Sequence, residues 1–143
     1  MEIIELHTLD LQALEDLKRL MEQLDSSIPV SPEMLKAAAE DPATHFFAAV
    51  EEGRIIGTAC LSVYYTPTGA KGDVEDVVVD SACRGRQLGR KLLEHIIDYA
   101  RTQLAPIVLH LTSRPAREAA NRLYQSLGFQ KRETNYYKLT VER

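Results

Sequence analysis

The chain has 143 residues, 45% of them hydrophobic and 27% charged, and a formal net charge of −4. A chain of this length supports one domain with a single core. Its acidic balance argues against a general nucleic-acid-binding protein, which needs a broad basic face. There are two cysteines without metal-ligand spacing, and no apolar run is long enough to span a membrane. We therefore expect one domain over residues 1–143, no metal, no nucleic-acid or membrane partner, and a cytoplasmic location.

The amino-terminal half is predicted to hold two helices and four strands. Apolar residues at helical spacing predict a helix over 10–25. Ser31-Pro32 combines a cap residue with a proline in the first turn of a second helix, which runs to about Glu40. Strands are predicted at Ile3–His7, His45–Glu51, Arg54–Tyr64 and Asp73–Val79. The residues Tyr65–Gly72, with one proline and two glycines, are predicted to form a loop.

The carboxyl-terminal half is predicted to alternate between helices and strands. Helices are expected over Gln87–Gln103 and Ala116–Leu127, and strands over Ile107–Thr112, Phe129–Arg132 and Tyr136–Val141. The chain is therefore assigned to the mixed α/β (α+β) class, with seven strands and four helices and with no linker or repeat.

The nine residues Cys83–Lys91, which follow the fourth strand, carry four positive charges and no negative one. They lie where that strand passes through a short glycine-containing turn into a helix. A helix N-terminus offers unpaired N–H groups and the positive end of the helix dipole, which together attract phosphate. The spacing of Gly85 and Gly89 fits neither the nucleotide-triphosphate loop nor the dinucleotide fingerprint. The turn therefore predicts a site for a different phosphate-bearing ligand.

A second segment with a recognisable pattern is Ala119–Phe129. Four of its apolar positions form one helical stripe. They are Ala120, Leu123, Tyr124 and Leu127. Gly128 suits a carboxyl-terminal helix cap with positive φ, so this segment predicts a helix that ends sharply before Phe129.

Together the two segments resemble the GCN5-related N-acetyltransferase (GNAT) superfamily. Arg84 and Gly89 match the ends of its acetyl-CoA signature, Q/R-x-x-G-x-G/A, while Gln87 stands where the first glycine is usual. Leu123–Phe129 looks like the later family motif L-Y-x-x-x-G-F. The two motifs occur in the family's order, and the resemblance spans roughly Ile55–Leu139.

The resemblance implies a mixed, mostly antiparallel sheet of about seven strands flanked by about four helices. In that fold the strands Asp73–Val79 and Ile107–Thr112 splay apart, and the pantetheine arm of acetyl-CoA, the implied co-substrate, lies in the gap. The residues that the resemblance places at acetyl-CoA are Val77, Val78, Val79, Arg84, Gly85, Arg86, Gln87, Leu88, Gly89, Arg90, Arg117, Asn121 and Tyr124.

Within this set the implied roles differ. The backbone of Val77 and Val79 would pair with the pantetheine arm while their side chains fill the core. Arg86 or Arg90 would meet a phosphate oxygen. The family's more common CoA-contacting asparagine lies seven residues before the tyrosine, where this chain has Arg117. Either Arg117 substitutes with a charged contact, or that contact is missing.

Acetyl transfer to an amine needs an uncharged nitrogen, so a carboxylate that removes the ammonium proton is useful. Three carboxylates lie on the strand before the turn, and alternation puts Asp73 and Glu75 on one face and Asp76 on the other. The resemblance points to Glu75 as the base, with Asp73 as the next candidate. It also implies that Tyr124 protonates the leaving thiolate, although a tyrosine on an apolar stripe is commonly a core residue.

The acceptor is expected to be a primary amine on a small molecule or a peptide. The Glu75–Gly89 segment, including Gln87, resembles the glucosamine-6-phosphate N-acetyltransferases, which makes that activity one alternative. A second alternative is a non-catalytic acyl-CoA-binding sensor or regulatory module, which would keep Arg84–Gly89 and dispense with the acid and the base. A homodimer is the expected assembly.

Overall fold

The computed structural model describes residues 1–143, which fall into two compact units, Met1–Thr112 and Ser113–Arg143. The single domain expected from chain length stays a prediction. No helix in either unit combines the length and the apolar character needed to cross a membrane. The elements are β1 (Glu2–Leu6), α1 (Leu11–Leu24), α2 (Pro32–Glu40), β2 (Thr44–Glu51), β3 (Arg54–Thr66), β4 (Gly69–Val79), α3 (Leu88–Tyr99), β5 (Val108–His110) and α4 (Glu118–Ser126).

The first unit is organised by a sheet with strand order β1-β2-β3-β4-β5. The first four strands pair with their neighbours in antiparallel fashion, and β5 runs parallel to β4. This arrangement confirms the mixed, mostly antiparallel sheet, and the four expected helices are present. The sheet has five strands, however, rather than about seven.

Helices α1 and α2 both begin directly after a capping side chain, which was predicted for α2 at Ser31. Asp10 accepts a hydrogen bond from the Ala13 N–H at 2.8 Å, and Ser31 accepts one from the Met34 N–H at 3.2 Å. Both caps satisfy N–H groups that have no partner within the helix. A core cluster joins these helices to one face of the sheet. Its buried members are Leu6, Leu17, Leu20, Met21, Leu35, Ala39, Phe46, Ala48, Ile55, Cys60 and Val78.

Helix α3 covers the opposite face of the sheet. Its buried stripe consists of Leu88, Leu92, Leu93 and Ile96. Phe47 follows the core residue Phe46 on β2 and so points the other way, where its ring packs edge-on against Tyr99 with centroids 5.4 Å apart. The helix that was expected to reach Gln103 ends at Tyr99 and continues as one wider turn, Ala100–Leu104. The sheet is therefore covered by helices on both faces.

The residues 65–72, predicted to be a loop, form a tight hairpin instead. β3 extends to Thr66, β4 starts at Gly69, and these two residues pair across a two-residue turn. Gly69 has φ +123°, which residues with a side chain rarely adopt, and the Lys71 ammonium donates to the Thr66 hydroxyl at 2.9 Å. The prediction is wrong because proline and glycine mark where a turn lies, not how many residues leave the strands.

The strands predicted at Phe129–Arg132 and Tyr136–Val141 are not formed. In the second unit, residues 128–143 contain no helix or strand. Their apolar side chains are exposed: Tyr137, Leu139 and Val141 are each 85% accessible to solvent. Alternating β-branched and aromatic residues fit a strand, but a strand also needs a hydrogen-bonding neighbour. These residues pair with none, which accounts for the two missing strands.

Candidate functional site

The pairing of β4 with β5 ends at Asp73, as the expected splaying of these strands requires. Only three residues of β4 pair with β5, and Asp73 is the last of them. Near the end of β4, the Asp80 N–H donates to the Ile56 carbonyl of β3 at 2.8 Å. Since N–H groups alternate between the two edges of a strand, that of Val79 faces the side from which β5 has diverged. The opening therefore presents strand backbone that an extended ligand can hydrogen-bond.

A bulge interrupts β4 beside this opening. Two residues, Asp76 and Val77, lie opposite a single residue of β3, and Asp76 adopts φ +52°. The bulge shifts the alternation, so that the side chain in the core with α1 and α2 is that of Val78 rather than Val77. Asp76 and Cys60 line one pocket on the side of the sheet that α1 and α2 cover. Glu75 is the register partner of Cys60 and so lies on that same side. The predicted placement of Asp76 on the face opposite Glu75 is therefore wrong.

The turn between β4 and α3 has the backbone geometry of an anion site. Asp80 accepts a hydrogen bond at 3.0 Å from a backbone N–H of the short 3-10 turn Ser81–Cys83 and so orders it. Gly85 and Gln87 adopt φ +85° and +58°, so the glutamine takes the left-handed conformation that glycine adopts most readily. Helix α3 then begins at Leu88 with no side chain capping its first N–H groups. These groups are oriented to bind an anion.

Two of the arginines predicted at the phosphate are already in contact with carboxylates. Arg86 forms a two-pronged ion pair with Glu51 at the end of β2, with one N–O distance of 3.1 Å, and its hydrogen bond lowers the pKa of Glu51. Arg90 lies 3.5 Å from Glu94, one turn later in α3. A Cβ added at Gly85 would meet no atom within 4 Å. The turn is therefore open, and a phosphate would compete with Glu51 for Arg86.

The candidate bases on β4 differ in their surroundings. Asp73 accepts a hydrogen bond from the Tyr64 hydroxyl at 3.3 Å, and its carboxyl lies 3.8 Å from Nδ1 of His110. The pKa of Glu75 is raised, first by desolvation and then by the negative charges of Asp76 and Asp73. A carboxylate with a raised pKa is a stronger base than an ordinary carboxylate. Glu75 therefore has the environment that the base role requires.

A buried ion network, which no sequence motif indicated, ties α1 to the sheet. Asp16 is fully buried and accepts hydrogen bonds from Arg54 at 2.6 Å, from the Ile55 N–H at 3.0 Å and from Arg19 at 3.0 Å. Arg19 also donates to Asp80 at 3.3 Å. Desolvation raises the pKa of Asp16, but these hydrogen bonds outweigh it and hold the pKa well below its ordinary value. The sequence feature that could have indicated this network is an aspartate on the apolar stripe of a helix, because a buried carboxylate needs partners.

In the second unit, two residues predicted at acetyl-CoA share one side of α4 and a third precedes the helix. Asn121 and Tyr124 are spaced three residues apart within α4, and Arg117 lies at the N-terminal cap position with a non-helical backbone. The Asn121 amide donates to the Arg114 carbonyl at 3.0 Å and so orders the approach to the helix. Tyr124 is buried and packs edge-on against Phe129, with ring centroids 6.3 Å apart. The glycine after α4 has φ +102°, as the predicted cap requires.

Comparison with known proteins matches the chain to one family. The model of the acetyltransferase (GNAT) family matches residues 10–129. The N-alpha-acetyltransferase RimI of Mycobacterium tuberculosis is 32% identical over 103 residues, which are 72% of this chain and 63% of that protein. Glucosamine 6-phosphate N-acetyltransferase 1 of Oryza sativa subsp. japonica is 34% identical over 92 residues, which are 57% of this chain and 56% of that protein. The chain thus spans less than two thirds of the length of these curated relatives.

Solved structures show the same fold over nearly the whole chain. An aminoglycoside acetyltransferase, meta-AAC0020, from an uncultured soil metagenomic sample superposes with a TM-score of 0.84. The match covers 99% of this chain and 96% of that one, at 18% sequence identity. At this identity the likeness concerns the fold alone.

Proposed function

Because the chain belongs to the acetyltransferase (GNAT) family, we propose that it moves the acetyl group of acetyl-CoA to a primary amine by direct transfer within one ternary complex. The observation that carries this proposal is the opening beside β4 next to the uncapped start of α3. That combination offers strand backbone to an extended arm and helix N–H groups to a pyrophosphate.

An acetyl-CoA consumption assay with thiol detection tests the proposal. The amine panel contains glucosamine 6-phosphate, spermidine, amino acids and short peptides. Turnover on any of them supports the proposal. Failure of the protein to bind acetyl-CoA would contradict it, and isolation of an acetylated enzyme that then acetylates an amine would contradict direct transfer.

Acetyl-CoA supplies an activated acyl group, and the protein supplies its position. We assign the pyrophosphate to the turn residues Arg84–Arg90, where the helix N–H groups and the arginine side chains meet it. The backbone of Val77–Val79 would pair with the pantetheine arm. Arg117 and Asn121 stay further cofactor candidates, supported by their places at the start and in the middle of the α4 segment.

For the chemistry, we assign one proton transfer to each end of the reaction. Glu75 takes the proton of the amine as the nitrogen bonds to the acyl carbon. A strand N–H near Val77 polarises the acyl carbonyl. Tyr124 gives a proton to the sulfur as the carbon–sulfur bond breaks, so that amide and free CoA thiol leave together.

The pH profiles of two variants separate the candidate bases. We expect Asp73→Asn to keep the plateau of kcat/KM near the wild-type value and to move the acid limb to lower pH. The charge of Asp73 helps to raise the pKa of Glu75, so removing it lowers that pKa and keeps the base active at lower pH. Glu75→Gln should instead lower the plateau by about 100-fold. A plateau lost in Asp73→Asn and kept in Glu75→Gln would assign the base to Asp73.

The left-handed glutamine provides a stability test of the turn. Gln87 adopts φ +58°, a conformation that costs a residue with a side chain about 1–2 kcal/mol. We expect Gln87→Gly to raise the free energy of unfolding by roughly 0.5–1 kcal/mol, because added chain entropy offsets part of the relief. Gly85→Ala, where a Cβ has open space but φ is +85°, should lower it by about 1 kcal/mol. Urea melts measure both, and a destabilised Gln87→Gly would contradict the prediction.

Two alternative functions and two further assignments accompany the main proposal. Glucosamine 6-phosphate N-acetyltransferase-like activity is favoured by the match to the rice enzyme of that name. A non-catalytic acyl-CoA sensor would bind acetyl-CoA and turn over no amine in the panel. We also propose a cytoplasmic location and a homodimer; the exposed apolar side chains at Tyr137, Leu139 and Val141 support the latter.

A further inference from the structure

A pocket lies on the face of the sheet that α1 and α2 cover. Its cavity volume is about 160 Å³, and its walls are mostly apolar, with Met21, Met34 and Phe46 among them. Two carboxylates, Asp25 and Asp76, also line it, and no lysine, arginine or histidine does. The pocket therefore combines an apolar wall with negative charge only.

The bulge in β4 is what brings the Asp76 carboxyl into this pocket. With unbroken alternation the side chain would point to the face covered by α3, but the extra residue and the φ of +52° redirect it. Aspartate is among the few residues with side chains that are enriched at positive φ. The bulged backbone therefore turns Asp76 towards the side of the sheet on which the pocket lies.

Asp76 is an exposed residue that a cation from solvent can reach. Desolvation by neighbouring protein atoms raises the pKa of its carboxyl. The Cys60 thiol beside it stays protonated, because burial and the charges of Asp76 and Glu75 raise the pKa of that thiol to about 12. Asp76 is therefore the charged group beside Cys60 with which a cation entering the pocket can pair.

We propose that this pocket binds the acceptor and that the acceptor is a primary amine carried on an apolar group with no anionic group close by. The ammonium pairs with Asp76, and the apolar body lies against Met21, Met34 and Phe46. Glu75, the residue before Asp76, then stands beside the nitrogen from which it takes a proton. The identification of the pocket as the acceptor site rests on the proposed function, whereas its preference for an apolar cation follows from its lining.

The same lining disfavours a phosphorylated amino sugar. A phosphate in the pocket would lie near Asp25 and Asp76 with no cationic side chain in the walls to compensate it. Like charges brought together across an interface are strongly unfavourable, and sugar hydroxyls would lose water against apolar walls. Glucosamine 6-phosphate is therefore expected to be a poor ligand of this pocket.

Calorimetric titration of the full chain, without acetyl-CoA, tests the preference. The probes are phenethylamine, its anionic counterpart hydrocinnamate, and glucosamine 6-phosphate. We expect phenethylamine to bind at least about tenfold more tightly than either of the others, the size of effect that one charge-assisted hydrogen bond produces. Leucinamide serves as a further arm: tighter binding than phenethylamine would identify the apolar amine as a protein N-terminus, and weaker binding would identify it as a free amine. Equal or weaker binding of phenethylamine compared with glucosamine 6-phosphate would overturn the proposal.

Variants locate the binding. Asp76→Asn keeps a side chain that tolerates positive φ and should weaken phenethylamine binding about tenfold. Met34→Lys puts a cation into the pocket from a half-exposed position. It should weaken phenethylamine binding at least as much as Asp76→Asn does. The matched control is Leu11→Lys, which adds the same charge at an 81% exposed residue outside the pocket, and it should bind like the wild type. Wild-type affinity in both pocket variants would overturn the proposal.

These outcomes are distinct from a failure of the proposed function. Turnover of glucosamine 6-phosphate with no binding of phenethylamine would uphold the acetyltransferase and reject the apolar acceptor. Specific phenethylamine binding, lost in Asp76→Asn, with no turnover of any amine would uphold the pocket and reject the enzyme. The two inferences therefore stand or fall on separate measurements.

Discussion

Replacing Tyr124 by phenylalanine is expected to lower kcat by at least about tenfold, because a positioned proton donor typically contributes about 10²–10⁴. The substitution removes only the hydroxyl and leaves the ring, which packs against Phe129 in the second unit. The Kd for acetyl-CoA should therefore change little. Steady-state kinetics combined with acetyl-CoA titration separate the two effects.

The control for this experiment is Tyr137→Phe, which removes a hydroxyl from a side chain that is 85% exposed. It should behave like the wild type in both assays. If kcat of Tyr124→Phe matched the wild type across a pH series, Tyr124 would have no role in proton transfer, and its burial would be its whole contribution. A parallel loss of acetyl-CoA affinity would indicate a binding role instead.

Replacing Asp16 by asparagine is expected to lower the free energy of unfolding by about 3 kcal/mol, as when one partner of a buried ion pair is removed. The side chain is fully buried, and donors from Gln12, Arg19, Arg54 and the Ile55 N–H converge on it. An amide cannot accept from all of them and no longer compensates the charge of Arg54, whereas Arg19 keeps its pair with Asp80. Urea melts at neutral pH measure the loss, and Asp98→Asn, which breaks an exposed pair with Arg101, should cost less than about 1 kcal/mol.

The same carboxylate makes stability depend on pH in a definite direction. The pKa of Asp16 is lower in the folded chain than in the unfolded chain, so its contribution is complete above the ordinary carboxyl pKa of about 4 and is lost as pH falls below it. The wild type should therefore lose stability more steeply than Asp16→Asn when the pH is lowered from about 5 towards 2. Equal slopes for the two proteins would show that Asp16 does not carry the acid sensitivity.

Local signals predicted the helices of this chain well, because their determinants are close in sequence. Asp10 and Ser31 cap α1 and α2 through residues three positions later. The strands are a different case, since pairing depends on residues far away. The residues around Tyr137 have strand-forming composition, and they lack a hydrogen-bonding neighbour. No property of the segment itself could reveal that.

The site shows the same division between local and distant determinants. The turn before α3 lies between the strand and the helix as predicted, because its glycines, its charges and the helix that follows are consecutive in sequence. The bulge at Asp76 arises from the pairing of β4 with β3, and the contact between Arg86 and Glu51 joins residues thirty-five positions apart. Alternation rules applied to β4 alone therefore assigned Asp76 to the wrong face. The bulge and the Arg86–Glu51 contact could not be predicted from the sequence, because both depend on pairing between distant strands.

The position of Arg19 has a consequence for changing the acceptor by design. Helix α1 supplies Met21 to the pocket wall. On the same helix Arg19 donates a hydrogen bond to Asp80, which orders the turn between β4 and α3. If the turn binds acetyl-CoA as proposed, we expect a ligand that displaces α1 to alter the affinity for acetyl-CoA, and linkage makes the effect equal in the other direction. Libraries that randomise α1 should be screened at saturating acetyl-CoA. At limiting acetyl-CoA concentrations, a variant with a well-formed new acceptor pocket would be discarded if its affinity for acetyl-CoA had fallen.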